Sequence, residues 1–312
     1  MLQFYYVNTL RKGDVFRDWL LNVVGEKIKN NKCDVAVYKI HSSHTVCRYE
    51  FIGENYSVIG KFFSEPKGND RYYDYYLAMM HEWHILNQLQ NIVDIPKPLA
   101  IKKNYNCVLL TEYINGYPVS VFSNNKKDII DKFETIGKTM RRIHLITQRY
   151  YDKGADFHKF ITTLKDCKLE PNFRSKFESL LKIWWKSDLL DQDIGCTIHG
   201  DASPNNYIFY KNKCYPIDFE GAMNHANAIY DLGIMCAEVT MEFIRNNKQG
   251  ALAQPYIKSL LNGYNSYNNA SRDIKETLGF FTSLGFLRGA RFLHNSHHKN
   301  KICQQALASL SL

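Results

Sequence analysis

Long apolar runs are missing from this chain: no stretch approaches the ~18 uncharged apolar residues that a membrane-spanning helix requires. The opening Met1-Leu2-Gln3-Phe4-Tyr5-Tyr6 has neither the basic segment nor the apolar segment and small-residue cleavage site of a secretory signal. Proline (8) and glycine (17) are modest in number and follow no period, which excludes collagen-like and linker-like chains. There is no C-x-x-C pair; Cys33, Cys47, Cys107, Cys167, Cys196, Cys214, Cys236 and Cys303 are scattered, against zinc ribbons and redox dithiols. Free thiols packed as small hydrophobes are expected instead. No internal repeat or low-complexity segment is visible. These absences predict a soluble cytoplasmic protein without structural disulfides.

What the chain does have is ordinary globular composition, 45% hydrophobic and 23% charged over 312 residues, long enough for two lobes each with its own core. The net charge of +9 is unevenly placed. Nine basic residues between Phe243 and Leu312 face only Asp273 and Glu276, so this stretch carries +7. No aromatic-interleaved RNA-binding motif accompanies it, so no nucleic-acid partner is expected and the basic residues read as a solvated helical surface.

The first third has the alternation of strands. Cys33–Ile40, Val46–Ile52 and Ser57–Phe63 are rich in β-branched and aromatic residues, separated by turn residues. A helix is predicted from about Asn69 to Gln90, on the spacing of Leu77, Met80, His84, Leu86 and Leu89. Two further strands, Pro98–Lys102 and Cys107–Tyr113, precede the punctuation Ile114-Asn115-Gly116-Tyr117-Pro118. Thereafter helices dominate: Asp128–Thr147, Phe173–Leu189, Ala228–Arg245, Gln254–Tyr264 and Ile274–His294. One extended island, Ile194–Asp218, interrupts them with two short strand pairs and a tight turn at Lys211-Asn212-Lys213. The expected fold class is therefore α+β, with a β-rich lobe over 1–113, a mostly helical lobe over 114–312, a hinge near 112–118 and a cleft between the lobes.

The island also carries chemistry. In His199-Gly200-Asp201-Ala202-Ser203-Pro204-Asn205-Asn206, an Asp precedes an Asn by five positions, and Asp218 follows a short hairpin in Ile217-Asp218-Phe219-Glu220. Phosphoryl transfer needs a carboxylate to orient the attacking hydroxyl and accept its proton, and oxygen ligands to hold magnesium against the nucleotide phosphates. This pattern, H-G-D-x-x-x-x-N followed by I-D-F-E, resembles the aminoglycoside phosphotransferase and choline kinase group of small-molecule kinases, within the protein-kinase-like superfamily. Tyr230-Asp231-Leu232-Gly233 looks like that group's D-[LI]-G segment, Ile136–His144 like its helix before the catalytic loop, and Leu110–Pro118 like the connector that reads the adenine. The resemblance spans roughly Val35 to Glu242.

It implies a two-lobed kinase-like fold and an ATP- or GTP-dependent phosphotransferase using Mg2+. Asp201 takes the role of catalytic base, with Asn206 and Asp218 as metal ligands and His199 and Asp231 as supports of the loop. Lys61 fits the lysine that holds the α- and β-phosphates, and Glu82 the carboxylate that pairs with it. As a surface lysine, Lys61 is expected to matter far more to turnover than to folding. Glu112, Tyr113 and Ile114 form the nucleotide-facing connector. Where protein kinases carry a glycine-rich loop, this chain has His41-Ser42-Ser43-His44-Thr45, so Ser42 and Ser43 are assigned to the phosphates.

The acceptor is narrowed by two further absences. Gly200 stands where many protein kinases have an activation-loop arginine, and no A-P-E segment lies between Asp218 and Asp231, which disfavours protein substrates. The basic region Phe243–Leu312 disfavours the polycationic aminoglycosides and favours a sugar-like or other neutral or anionic hydroxyl compound. Glu238 and Glu242, and Glu220 beside them, are candidate substrate-side residues that keep a choline/ethanolamine-type or aminoglycoside-type acceptor as an alternative. The alternative of another class is a catalytically inactive nucleotide-binding scaffold. His294, His297 and His298 read as exposed helix-end histidines rather than a metal site, and Trp184-Trp185 as helix packing. The oligomeric state is left open.

Overall fold

The computed structural model describes residues 4–40, 43, 45–64, 73–122, 125–145, 148–265 and 271–311. The chain runs β1 (Phe4–Leu10), α1 (Val15–Val24), β2 (Val35–Ile40), β3 (Val46–Phe51), β4 (Ser57–Phe62), α2 (Tyr75–Leu89), β5 (Pro98–Lys102), β6 (Val108–Glu112) and β7 (Tyr117–Pro118). It continues through α3 (Lys126–His144), β8 (Gln148–Tyr150), α4 (Lys153–Asp166), α5 (Pro171–Lys186), β9 (Ile194–Ile198), β10 (Tyr207–Tyr210), β11 (Lys213–Pro216) and β12 (Met223–Ala226). The last four elements are α6 (Ile229–Arg245), α7 (Gln254–Asn265), α8 (Ser271–Ala290) and α9 (Ser296–Leu310).

By packing, the chain divides into one unit of Met1–Pro118 with Ile208–Glu220, and a second of Val119–Tyr207 with Gly221–Leu312. The segment 208–220, read from the sequence as part of the carboxy-terminal lobe, thus clusters with the amino-terminal strands. The reason is β7, whose Tyr117 and Pro118 pair with Phe209 and Ile208 of β10. The fold is β-rich in the first unit and mainly helical in the second.

The first unit is an antiparallel sheet of order β1-β2-β3-β4-β6-β5, with a separate β11-β10-β7 sheet. Val35, Val37, Phe51, Val58, Val108 and Leu110 on the large sheet pack with Leu20, Leu21 and Val24 of α1. Each such side chain, once fully buried, contributes about 1.5–3 kcal/mol. Strand alternation then decides where β4 points its polar residue. Val58 and Gly60 are buried, so Lys61 projects from the opposite face, where Glu82 of α2 meets it. Helix α2 starts at Tyr75, capped by the Asp74 carboxylate accepting from the Tyr76 and Leu77 N–H groups. The predicted start at Asn69 lies outside the described residues. The β10–β11 turn uses Lys211 and Asn212, both at positive φ (48° and 62°), the backbone a tight two-residue hairpin requires.

In the second unit, α6 is buried on nearly every side, against α8 and α7. The sheet β12-β9-β8 delivers the loop that begins at His199. Gly200, at φ +77°, lies so close to the Gly221 carbonyl oxygen that a Cβ there would collide with it. Seven of the described elements were not anticipated from the sequence: β1, α1, β7, β8, α4, β12 and α9. Helix α8 stops at Ala290, so His297 and His298 open α9 instead of closing α8, beside Asn295, whose side chain caps the His298 N–H. No helix among the described residues is long and apolar enough to cross a membrane.

Candidate active site

Two clusters of functional side chains emerge, one in each unit. In the first, Lys61 Nζ lies 2.6 Å from Glu82 Oε2, 2.5 Å from Asp218 Oδ1 and 3.1 Å from Glu220 Oε2. Lys61 and Glu82 are 12% and 5% exposed, so this is a buried ion pair and not a surface lysine. The remaining Glu82 oxygen accepts the Phe219 N–H at 3.2 Å, tying α2 to the segment after β11. Asp218 adopts φ +64°, an uncommon backbone for a residue with a side chain and a mark of strain held by its surroundings.

Burial alone would lower the Lys61 ammonium, but Glu82, Asp218 and Glu220 outweigh it and hold the group well above its ordinary value. Burial raises the Glu82 carboxyl; Lys61 opposes the rise, while Asp218 and Glu220 add to it. Lys61 thus meets three carboxylates at once. The ligand oxygens of Glu82, Asp218 and Glu220 all lie within 4.8 Å of one another. Clustered hard oxygen donors of this kind fit a magnesium-type cation.

The connector follows in the same unit. The Glu112 and Tyr113 N–H groups are taken by the carbonyls of Lys97 (3.0 Å) and Ser57 (3.3 Å). The Glu112 carboxylate meets Lys27 at 3.3 Å. The Ile114 carbonyl accepts from the Gly116 N–H at 2.9 Å.

The second cluster is built on the loop after β9. Asp201 is held at both carboxylate oxygens, by Arg288 Nη2 on Oδ1 (2.8 Å) and by Asn206 Nδ2 on Oδ2 (3.2 Å). Asn206 Nδ2 also donates to the Asp201 carbonyl at 2.9 Å, which turns its amide oxygen to the other side. Beneath the loop, Asp231 accepts the N–H groups of His199 (2.7 Å) and Gly200 (2.9 Å), together with His144 Nε2 (3.0 Å). A carboxylate only accepts, so Nε2 carries a proton, and Nδ1 lies 3.0 Å from the Tyr264 hydroxyl. Burial would raise Asp231, but the His144 hydrogen bond and charge and the His199 N–H outweigh it and leave the carboxyl below its ordinary value.

Glu238 of α6 is half-buried and 3.7 Å from Arg245. Burial raises its carboxyl, Arg245 and Arg288 oppose the rise, and Asp201 adds to it. Glu242 is raised by burial and opposed by Arg245.

A family model described as the phosphotransferase enzyme family matches residues 42–268. The chain belongs to the phosphotransferase enzyme family. Solved structures agree in fold. Choline kinase from Cryptosporidium parvum Iowa II superposes with a TM-score of 0.61 at 13% identity, covering 94% of each chain. Choline kinase LicA from Streptococcus pneumoniae gives 0.59 at 16% identity, covering 98% of this chain and 93% of that one. The amicoumacin kinase hAmiN, solved with AMP-PNP, Ca2+ and amicoumacin, gives 0.56 at 14% identity over 88% and 85%. No curated protein matches the chain.

Among the family-type positions, Lys61, Glu82, Asp218 and Glu220 come together in the first unit, and Asp201, Asn206, His199 and Asp231 in the second. Glu220, expected on the substrate side, pairs with Lys61, because the turn at Phe219 brings it back beside Asp218. Ser42 lies outside the described residues. The Ser43 hydroxyl accepts the Thr45 N–H at 3.3 Å and pairs with the Thr45 hydroxyl at 3.4 Å in a local turn. Sequence reasoning missed Arg288, counting it only among the basic residues of the tail. Its one signal was that it is the sole charge between Thr277 and Ala290.

Proposed function

We propose that this phosphotransferase uses ATP or GTP to phosphorylate a hydroxyl of a small molecule, a sugar-like or other metabolite. The observation that carries the reading is the Lys61 centre. A lysine on β4 meets a glutamate 21 positions away and an aspartate 157 positions away, with Nζ within 2.6 Å of both. In this reading Lys61 contacts the α- and β-phosphates, and Glu82 keeps it extended. Glu112, Tyr113 and Ile114 lie along the base, with Ser42 and Ser43 near the phosphates. Asn206 and Asp218 would hold magnesium, which when bound neutralises phosphate charge. The oxygen-rich character of the donors supports that choice of ion.

Asp201 orients the acceptor hydroxyl and takes its proton as the acceptor oxygen bonds to the γ-phosphorus. The bond from that phosphorus to the bridging oxygen breaks, and the nucleoside diphosphate leaves with the electron pair. His199 and Asp231 keep the loop in place. On the acceptor side, Glu238 already has Arg245 as a counter-ion, and a guanidinium lies on Asp201. This supports a neutral or anionic acceptor over choline or an aminoglycoside. None of the eight cysteines is in a disulfide, which supports a reducing, cytoplasmic setting.

The test is a nucleotide-consumption screen over hydroxyl metabolites, with sugars, sugar acids, choline and aminoglycosides included and Asp201→Asn as control. Acceptor-dependent consumption by the wild type and not by the variant is expected. Consumption with no acceptor on the panel, or equal consumption by the variant, would count against the reading.

A further inference from the structure

Resting on the phosphotransferase reading, we infer that Arg288 is the positioning residue for Asp201. It fixes the carboxylate in the orientation that receives the acceptor hydroxyl. The guanidinium spans three groups at once. Nη2 donates to Asp201 Oδ1 at 2.8 Å, and Nη1 donates to the Gly200 carbonyl at 3.0 Å and to the Tyr230 hydroxyl oxygen at 3.1 Å. It therefore grips the side chain of the loop aspartate, the backbone just before it, and α6 behind it.

The packing explains why the arginine reaches this loop. On α8, Gly285 and Gly289 flank Arg288 and sit against Ala237 and Met241 of α6, so closely that a Cβ at either position would collide. A larger residue at Gly285 would press on the Ala237 Cβ and the α6 backbone, pushing α8 away and lifting Arg288 from Gly200 and Asp201, whereas at Gly289 the flexible end of Met241 can move aside. The charge is also sheltered. The Arg288 side chain is 20% exposed, while that of Asp201 is 46% exposed. Asp201 is thus the half-open end of a pair whose other end is anchored in the helix packing.

An aspartate on a loop with only the Asn206 amide to hold it could turn about its side-chain torsions. With one oxygen on Arg288 and the other on Asn206, a single orientation is selected. A planar fork with fixed donor directions suits that task better than a flexible ammonium. Other charged groups bear on the pair: Glu238, whose carboxylate attracts the guanidinium and repels Asp201, and Arg245, which pairs with Glu238. Among the described residues neither hydrogen-bonds the Asp201 carboxylate, so the orientation rests on Arg288 and Asn206.

Acting through Asp201 has a signature that a merely structural role lacks. Arg288→Met should lower kcat about 10²-fold, the scale of a misplaced reacting group, with the KM for Mg·ATP unchanged. Arg288→Lys, which keeps the charge and loses the fork, should recover part of that loss. In an Asp201→Asn background, Arg288→Met should have almost no further effect, because the group it positions is already gone.

The experiment is a double-mutant cycle of wild type, Arg288→Met, Asp201→Asn and the double variant. Turnover of Mg·ATP is followed with the best acceptor of the panel, or with water as acceptor, alongside melting temperature and nucleotide affinity. Non-additive loss with intact nucleotide affinity supports the proposal. Wild-type kcat in Arg288→Met, or a loss that multiplies with that of Asp201→Asn, overturns it. If Arg288→Met does not fold, Arg288→Lys and Arg288→Gln decide by the same cycle. Absence of turnover in the wild type, or a fully active Asp201→Asn, would overturn the phosphotransferase reading and this proposal with it. A wild type dependent on Asp201 and indifferent to Arg288 would remove this proposal alone.

Discussion

The Lys61 centre and the Asp201 centre solve opposite electrostatic problems. Around Lys61, the ammonium meets three carboxylates in a buried place where charge is costly. Around Asp201, one carboxylate is set between a guanidinium and an amide, half open to solvent, on a loop whose backbone N–H groups are gathered by a buried aspartate. The first centre holds together through charge, and its carboxylate oxygens are donors of the type that suits a hard cation. The second holds together through directed hydrogen bonds. Removing charge should therefore harm stability at Lys61, and chemistry alone at Asp201.

The largest effect is expected at Asp201. Asp201→Asn keeps the shape and should keep the melting temperature, while turnover falls by roughly two to four orders of magnitude. Equal losses of stability and activity would erase the contrast between the centres. Lys61→Met should lose about 10²–10³-fold in turnover, as when one preorganised electrostatic contact is removed. It should also destabilise the fold by about 3–5 kcal/mol, because Glu82 is left buried among like charges. That replaces the sequence-based expectation that folding would be spared. Glu82 is already raised by burial, so its ionised form is penalised at pH above that raised value and relieved as pH falls through it. The stability deficit of Lys61→Met should shrink as pH is lowered, which thermal melts across pH will reveal.

Asp231→Asn should cost about 2–4 kcal/mol, since hydrogen bonds to a charged group are each worth about 1.5–3 kcal/mol and an amide cannot accept all three donors. Asp231 is held below its ordinary value, so its stabilisation is fully present above the unfolded-state value near about 3.9 and is lost as pH falls through the folded one. The gap between wild type and variant should accordingly be constant at neutral pH and close in strong acid. The smallest effect is expected for Glu220→Gln. Lys61 keeps Glu82 and Asp218, so stability should change by about 1 kcal/mol at most and turnover should stay within about tenfold. A larger loss of activity with unchanged nucleotide affinity would return Glu220 to the acceptor side.

What could be read from the sequence, and what could not, follows the same division. The loop His199–Asn206 and the Asp218 segment are local in the chain, so their spacing alone exposes the chemistry. The pairing of Lys61 with Glu82 was implied by the resemblance, from a lysine on a strand ahead of a helix with a single glutamate. Arg288 was hidden because it meets Asp201 across 87 positions, through a helix–helix contact set by glycines that no local pattern announces. The contact of Glu220 with Lys61 was not foreseen, because the turn at Phe219 reverses the chain within two residues. Helix α4 carried readable signals, with Asp152 capping it and Phe157, Phe160 and Leu164 buried. In α9 the buried face is Ile302, Cys303, Ala306 and Leu310, with only small Cys303 and Ala306 between the two large apolar residues, which weakens the apolar stripe. At the amino terminus, β1 is mostly exposed along its length, so its sequence lacks the alternation that marks a half-buried strand.

The central claim is that both centres serve one transfer of phosphate to a hydroxyl. The most direct measurement is phosphorus NMR of Mg·ATP with the best acceptor of the panel, for wild type, Asp201→Asn and Lys61→Met. The account predicts a new phosphomonoester resonance growing in step with ADP for the wild type, and its loss in both variants. ADP and free inorganic phosphate with no phosphomonoester, or an undiminished phosphomonoester signal in either variant, would contradict it.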